Sequence, residues 1–223
     1  MAVLVILPTE KTLWRRCEAL EYRVFLESGY VEESPAERIA DFDRYGPMEF
    51  LAAFMGDRRL PPGQRLLTGV IRIVYAPLAR EMGPGLFPTI DHAKDLGIPP
   101  ENLKRVLAME PGRCIDIATM AIPKENRDAR ASKALIAATA TRVWEQPRLR
   151  YGFAAIDTPF YGKLKKRGLP FEDLGPPSMY MGSLSTATMI DGFRAPCGLR
   201  NILIPLLKFR GYWRSFVSGG GDP

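Results

Sequence analysis

The stretch Met109-Glu110-Pro111-Gly112-Arg113-Cys114-Ile115-Asp116-Ile117-Ala118-Thr119-Met120-Ala121-Ile122 constrains this chain more than any other. Pro-Gly is a turn pair, and the residues after it are apolar and β-prone except at Asp116 and Thr119. The run therefore reads as a turn opening into a strand over 114–122. The turn brings Glu110 and Arg113 within reach of each other at the strand mouth. By itself such a Glu-x-x-Arg pair is either a structural ion pair or one edge of a site.

With 223 residues, 46% hydrophobic and 25% charged, the chain is sized for one core rather than two. We expect one domain over 1–193, followed by a basic amphipathic segment and tail over 194–223. No run of eighteen apolar residues occurs, and the opening Met-Ala-Val-Leu-Val-Ile-Leu-Pro lacks a basic leader, so a soluble cytoplasmic protein is expected. Cys17, Cys114 and Cys197 are odd in number and scattered, which argues against a disulfide framework or a metal cluster. A lone His92 argues against a histidine metal site or a Ser-His-Asp triad.

The net charge of +6 hides an asymmetry: residues 18–57 hold ten acidic and three basic side chains, and residues 142–170 hold seven basic and two acidic. A basic second half favours an acidic partner. Nucleic acid is not expected, since zinc-finger spacing, an RNA-recognition signature and a heptad-linked basic region are all missing.

Leu13, Cys17, Leu20 and Val24 recur at helical spacing behind Thr12, a candidate cap, so 13–27 reads as an amphipathic helix ending before Gly29. An acidic turn, 37–45, leads to a strand over 48–55. Pro61-Pro62-Gly63 then breaks to a second strand over 67–75, its expected antiparallel neighbour. Met82-Gly83-Pro84-Gly85-Leu86-Phe87-Pro88 reads as a loop shaping a pocket, with a short helix near 101–107. After the 114–122 strand come a polar turn and a helix over 131–145, an order that can present free amides to an anion. Then follow a strand at 151–157, a basic helix at 160–167 and closing strands within 178–190. The segment 194–214, interrupted by Pro205 and Gly211, is expected to dock on the core, a second subunit or a membrane surface. Residues 219–223 are expected to be disordered.

This order resembles the GNAT-like acyltransferases, and within them the acyl-homoserine-lactone autoinducer synthases and N-acyl amino acid synthases. The matching points are Val24-Phe25 with Tyr30, Phe42-Asp43, Gly69-Val70-Ile71-Arg72, Phe87-Pro88, Glu110-x-x-Arg113, and the Tyr161–Gly168 segment with Leu174-Gly175-Pro176-Pro177. The resemblance implies an α/β fold, a GNAT-like three-layer α-β-α sandwich with a central mixed, largely antiparallel sheet. It also implies transfer of a fatty acyl chain from an acyl carrier protein thioester to an amine, with no tightly bound cofactor. Two departures bear on the acceptor. Glu21 stands where autoinducer synthases carry a basic residue, and Ala40 where they carry a carboxylate. Both positions concern adenosylmethionine in that family, so a plain amino acid or related amine is the favoured acceptor. An autoinducer synthase using S-adenosylmethionine is the first alternative and a catalytically silent lipid- or carrier-binding module the second.

An amine attacking a thioester must lose a proton while the carbonyl is polarised, and no covalent enzyme intermediate is needed. Glu110 is the leading base candidate, with Arg113 holding it. Asp43 is a candidate for the acceptor's ammonium group and Arg72 for its carboxylate. Phe87, Tyr30, Phe25 and Met120 are candidates for an acyl channel, or else ordinary core. Arg127, Arg130 and Ser132 occupy the turn where this fold wraps a pyrophosphate. Arg130 and Ser132 replace the usual small residues there, which suits a phosphopantetheine arm delivered by a carrier protein. Lys163, Lys165, Lys166 and Arg167 form a positive face for that acidic carrier, or a solvated helix.

Overall fold

The computed structural model describes residues 2–57, 59–76, 82–127, 130–146 and 148–191. Their strands are β1 (Ala2–Ile6), β2 (Met48–Gly56), β3 (Leu66–Tyr75), β4 (Cys114–Ala121), β5 (Tyr151–Asp157), β6 (Phe171–Asp173), β7 (Ser178–Tyr180) and β8 (Ser183–Asp191). They form one sheet in the order β1-β2-β3-β4-β5-β8-β6, with β7 also paired to β8. Every pairing is antiparallel except β4 with β5. The helices are α1 (Lys11–Glu27), α2 (Pro88–Asp91), α3 (Pro100–Leu107), α4 (Arg130–Trp144) and α5 (Thr158–Lys166).

The period-2 pattern of β2 decides how the layers form. Phe50, Ala52 and Phe54 meet the α1 stripe of Leu13, Cys17, Leu20 and Val24. Leu51 and Ala53 point the other way, onto Ala131, Leu135 and Ala138 of α4. Tyr161 and Leu164 of α5 cover Ala154 and Ile156 of β5 on the same side as α4. The third layer extends through α2 and α3, whose Ile90 and Val106 pack with Phe42, Phe87, Phe153 and Leu174. This is the three-layer sandwich that the sequence led us to expect.

The start of α1 differs from expectation: Glu10, not Thr12, precedes its first turn, and no side chain caps it. Its end is as read, with Gly29 at φ +72, a conformation that costs glycine little. Strand β1 was not among the expected elements, since five apolar residues carry no period that separates a strand from a helix. It is the partner of β2, with Leu4 opposite Phe54. The basic 194–214 segment, Cys197 and the tail lie outside the described residues.

Two features of the sheet position the site. First, β4 and β5 pair only from Cys114↔Tyr151 to Asp116↔Phe153. Beyond that point β4 continues beside β3 as far as Ala121, while β5 continues beside β8 to Asp157. The sheet opens there as a V. Second, Ile117 and Thr119 stand opposite Ile73 and Arg72, leaving Ala118 as a bulge. The extra residue shifts the alternation, so Asp116 and Thr119, three positions apart, both face the α1 side.

The Leu174-Gly175-Pro176 turn packs against the α2–α3 connection. Leu174 is fully buried, and a Cβ on Gly175 would lie 2.5 Å from the Gly97 carbonyl oxygen. Gly175→Ala is expected to lower the unfolding free energy by about 1–3 kcal/mol, the usual cost of overpacking against rigid backbone. Chemical denaturation checks this, and an unchanged midpoint would show that the two turns do not touch.

Candidate functional site

A cavity of about 1680 Å³ fills the V between β4 and β5. Its floor is the two diverging strands, Ile117, Ala118, Thr119 and Met120 on one and Ala154, Ala155, Ile156 and Asp157 on the other. Toward α4 and α5 it is apolar, with Ile136, Phe160, Leu164 and Phe171. Toward α1 and the 3-10 turn Ala40–Arg44 it is aromatic, with Phe25, Tyr30, Phe42, Tyr45 and Tyr180. Because β5 leaves β4 after Asp116, the β4 edge from Ile117 onward carries no sheet partner on this side among the described residues. An unpaired strand edge offers backbone N–H groups to a carbonyl oxygen in the cavity.

Several sequence-predicted residues meet at this cavity. Tyr30, Phe25, Met120, Arg127 and Ser132 line it, as do Lys163 and Arg167 at its rim. Phe25 and Tyr30 pack edge to face, with ring centroids 5.4 Å apart. Burial, chiefly, raises the Tyr30 phenol above its ordinary pKa, with the Asp157 carboxylate adding to it, so this hydroxyl is a donor at neutral pH. Arg127 is exposed, and its Nε donates to the Ile122 carbonyl at 3.1 Å.

Other predicted residues are placed elsewhere. Glu110 and Arg113 lie 4.0 Å apart with 72% and 42% of their side chains exposed, and neither lines the cavity. Asp43 is held by Arg38 in a two-armed bond, both contacts at 2.6 Å, on an exposed turn. Its carboxyl is held below the ordinary range, first by that hydrogen bond. Phe87 is fully buried in the core beside Phe153, because the loop that carries it folds inward. Arg130 is exposed at the start of α4, and Lys166 is exposed on α5. Lys165 is tied to Asp173 at 2.9 Å and lies over the Tyr161 ring.

Arg72 is not presented to the cavity, which corrects its reading as a group for a substrate carboxylate. Its side chain is 2% exposed and its Nε donates to Glu21 at 3.0 Å, with Glu21 itself fully buried. The guanidinium lies between the rings of Phe42 and Phe50, 4.5 and 4.4 Å from their centroids. Thr119 donates its hydroxyl to Glu21, completing a buried cluster that ties α1 to β3 and β4. The acid at position 21, a departure by sequence, is thus the partner of Arg72.

Two carboxylates were not singled out from the sequence. Asp116 is fully buried; its Oδ2 accepts the Thr89 N–H at 2.7 Å, and its Oδ1 has no partner among the described residues. Burial pushes its carboxyl up to about 7, against the pull of the Thr89 hydrogen bond, with the charge of Asp91 adding a little. Its signal was a carboxylate inside an apolar strand. Asp157 ends β5 at the cavity wall and accepts hydrogen bonds from Ser183 at 2.5 Å and from Tyr30 at 3.3 Å. Nothing local marks it, since its donors come from α1's flank and β8. Among the described residues no cluster of His, Cys, Asp and Glu is suited to a metal, and no helix is long and apolar enough to cross a membrane.

No known family profile matches the sequence, and no curated protein matches it. Solved structures do match the fold. FeeM, an N-acyl amino acid synthase from uncultured soil microbes, superposes with a TM-score of 0.58 at 14% identity, covering 85% of this chain and 91% of its own. BjaI, a CoA-dependent acyl-homoserine lactone synthase solved with SAM and isopentyl-CoA, gives 0.56 at 17% identity, with 92% and 89% covered. The acyl-homoserine lactone synthase LasI gives 0.59 at 16% identity, with 85% and 89% covered. The chain therefore has the GNAT-like fold shared by acyl-homoserine lactone synthases and an N-acyl amino acid synthase.

Proposed function

We propose that this protein is an N-acyltransferase that moves a fatty acyl chain from a thioester to the amine of an amino acid or a similar acceptor. The observation that carries the reading is the large cavity in the V of β4 and β5, apolar on one side and aromatic and polar on the other. A long acyl chain fits the compartment of Ile117, Ile136, Leu164 and Phe171, where its burial is favourable by about 0.8 kcal/mol per methylene. The thioester carbonyl then lies along the unpaired β4 edge at the Ala118 bulge, whose N–H groups can hold the oxyanion of the tetrahedral intermediate. The acceptor approaches from the side of Tyr30, Phe42 and Tyr45.

For the donor we favour an acyl carrier protein. Lys163 and Arg167 are exposed at the cavity rim on and just after α5, Lys166 is exposed on the same helix, and Arg127 lines the same cavity, so a phosphopantetheine arm entering there would meet positive charge. Arg130 and Ser132 at the start of α4 depart from the small residues that would let a pyrophosphate settle on backbone amides. BjaI is CoA-dependent, however, so a coenzyme A donor is the competing arm of the test. Among acceptors, Glu21 and Ala40 depart from the residues that the resemblance ties to adenosylmethionine, and Glu21 is taken up by Arg72, which favours a plain amino acid.

Incubation with long-chain acyl carrier protein or acyl coenzyme A, plus either mixed amino acids or adenosylmethionine, followed by mass spectrometry, tests both halves. Free thiol and an N-acyl amino acid are expected. Turnover with the carrier should fall steeply as salt rises, while a short pantetheine thioester is little affected. Methylthioadenosine and a lactone product would overturn the acceptor. A coenzyme A donor used as well as the carrier, without salt dependence, would overturn the docking face. No thiol release from any donor would overturn acyl transfer itself.

A further inference from the structure

Among the described residues three acidic side chains line the cavity: Asp41, Glu145 and Asp157. Asp41 and Glu145 are exposed at its rim, while Asp157 is half-buried at the end of β5, where that strand has moved away from β4. The surroundings of Asp157 are built. Its Oδ1 accepts from Ser183 at 2.5 Å and from Ser185 at 3.4 Å, and its Oδ2 accepts from Tyr30 at 3.3 Å. Those hydroxyls come from β8 and from the turn after α1, so two elements besides β5 itself fix the carboxylate's orientation. Among the described residues no cation pairs with it, whereas Glu21, Asp43, Glu49 and Asp191 each have an arginine. Asp116 is enclosed and does not line the cavity.

We infer that Asp157 is the carboxylate that receives the acceptor's ammonium group and takes its first proton. The inference deepens the acyl-transfer reading and rests on it for the proton step. Three neutral donors aim the carboxylate without spending its charge, so an entering ammonium supplies the missing cation. The acyl compartment begins at the adjacent Ile156 and Phe160, which brings amine and thioester together in the V. The acceptor's ammonium gives one proton to Asp157, and the freed lone pair forms the N–C bond at the thioester carbonyl carbon. The C–S bond then breaks, and the second N–H proton leaves with sulfur as the thiol. The proton on Asp157 passes to water as the amide departs. Tyr30, which packs on Phe25 and donates to Asp157, is a positioning residue.

The test uses two probes of equal chain length, dodecylammonium and dodecanol, titrated calorimetrically into the full chain and its Asp157→Asn variant. Asp157→Asn is expected to weaken dodecylammonium by at least about tenfold, as for loss of a charge-assisted hydrogen bond. Dodecanol affinity should be unchanged. Amide formation should fall at least about a hundredfold in kcat, with the KM for the thioester unmoved. Equal dodecylammonium affinity in the two proteins overturns the inference. If Asp157→Asn does not fold, Ser183→Ala keeps the carboxylate but removes a donor. Dodecylammonium should then bind more weakly while dodecanol binds as before, and an unchanged dodecylammonium affinity overturns the inference. Ammonium binding through Asp157 in a protein that acylates no amine would overturn acyl transfer and leave the site. Acyl transfer that survives Asp157→Asn would overturn the site and leave the function.

Discussion

Arg72→Met is expected to destabilise the protein by about 3–5 kcal/mol, because it strands the Glu21 carboxylate in the core with only the Thr119 hydroxyl beside it. The pair lies between α1, β3 and β4, so the loss should appear as cooperative unfolding of the whole sheet rather than fraying of one helix. The double variant Glu21→Gln, Arg72→Met removes both charges, and most of the stability should return, since a methionine fits the slot between Phe42 and Phe50. Urea denaturation of the wild type, both single variants and the double variant closes the cycle. A cost below about 1 kcal/mol for Arg72→Met would mean that the pair is solvated, and would return Arg72 to the cavity as a substrate group.

Asp116 should make stability depend on pH, in the direction opposite to that of an ordinary ion-paired carboxylate. Its folded-state carboxyl is raised from the ordinary 3.8 to about 7, so the folded protein binds a proton that the unfolded chain releases. Its contribution is fully present below 3.8 and is lost as pH rises toward 7. At about 1.36 kcal/mol per pH unit the whole effect is on the order of 4 kcal/mol, of which roughly 3 kcal/mol falls between pH 5 and 8. Among the described residues the groups acting on Asp116 are Thr89 and Asp91 of α2 and Tyr180 of β7, and none of these is a cation. Asp116→Asn should therefore gain stability over the wild type as pH rises from 5 to 8. Denaturant midpoints measured for both proteins across that range check it; parallel curves would mean that Asp116 has a partner for Oδ1 or is reached by water.

Local patterns in the sequence were enough for most elements, because the period of a strand or an amphipathic helix is written along the chain itself. Strand β5 was read end to end, and α1, β2, β3 and α4 to within one or two residues. The elements that escaped are those whose apolar faces are explained only by distant partners. Ala2–Ile6 is a strand because β2 lies beside it, and Phe171–Asp173 is one because β8 does. The GNAT-like arrangement was legible as an order of elements, since topology follows from that order once the sheet is right.

The site was less legible, for a definite physical reason. Sequence reasoning weighs a carboxylate by its chain neighbours, which made Glu110 beside Arg113 conspicuous and left Asp157 unremarked. What a carboxylate can do depends instead on what packs around it in three dimensions. The parting of β4 and β5 after Asp116 opens a cavity at Asp157 and leaves Glu110 at the solvent-facing start of β4. The bulge at Ala118 turns Thr119 toward Glu21, and Glu21 in turn occupies Arg72. The sequence by itself determined which segments become strands and helices and in what order they stack. Only the tertiary structure decided which acids are paired, which is buried alone and which faces the cavity, because burial and partnership arise between residues that the chain keeps far apart.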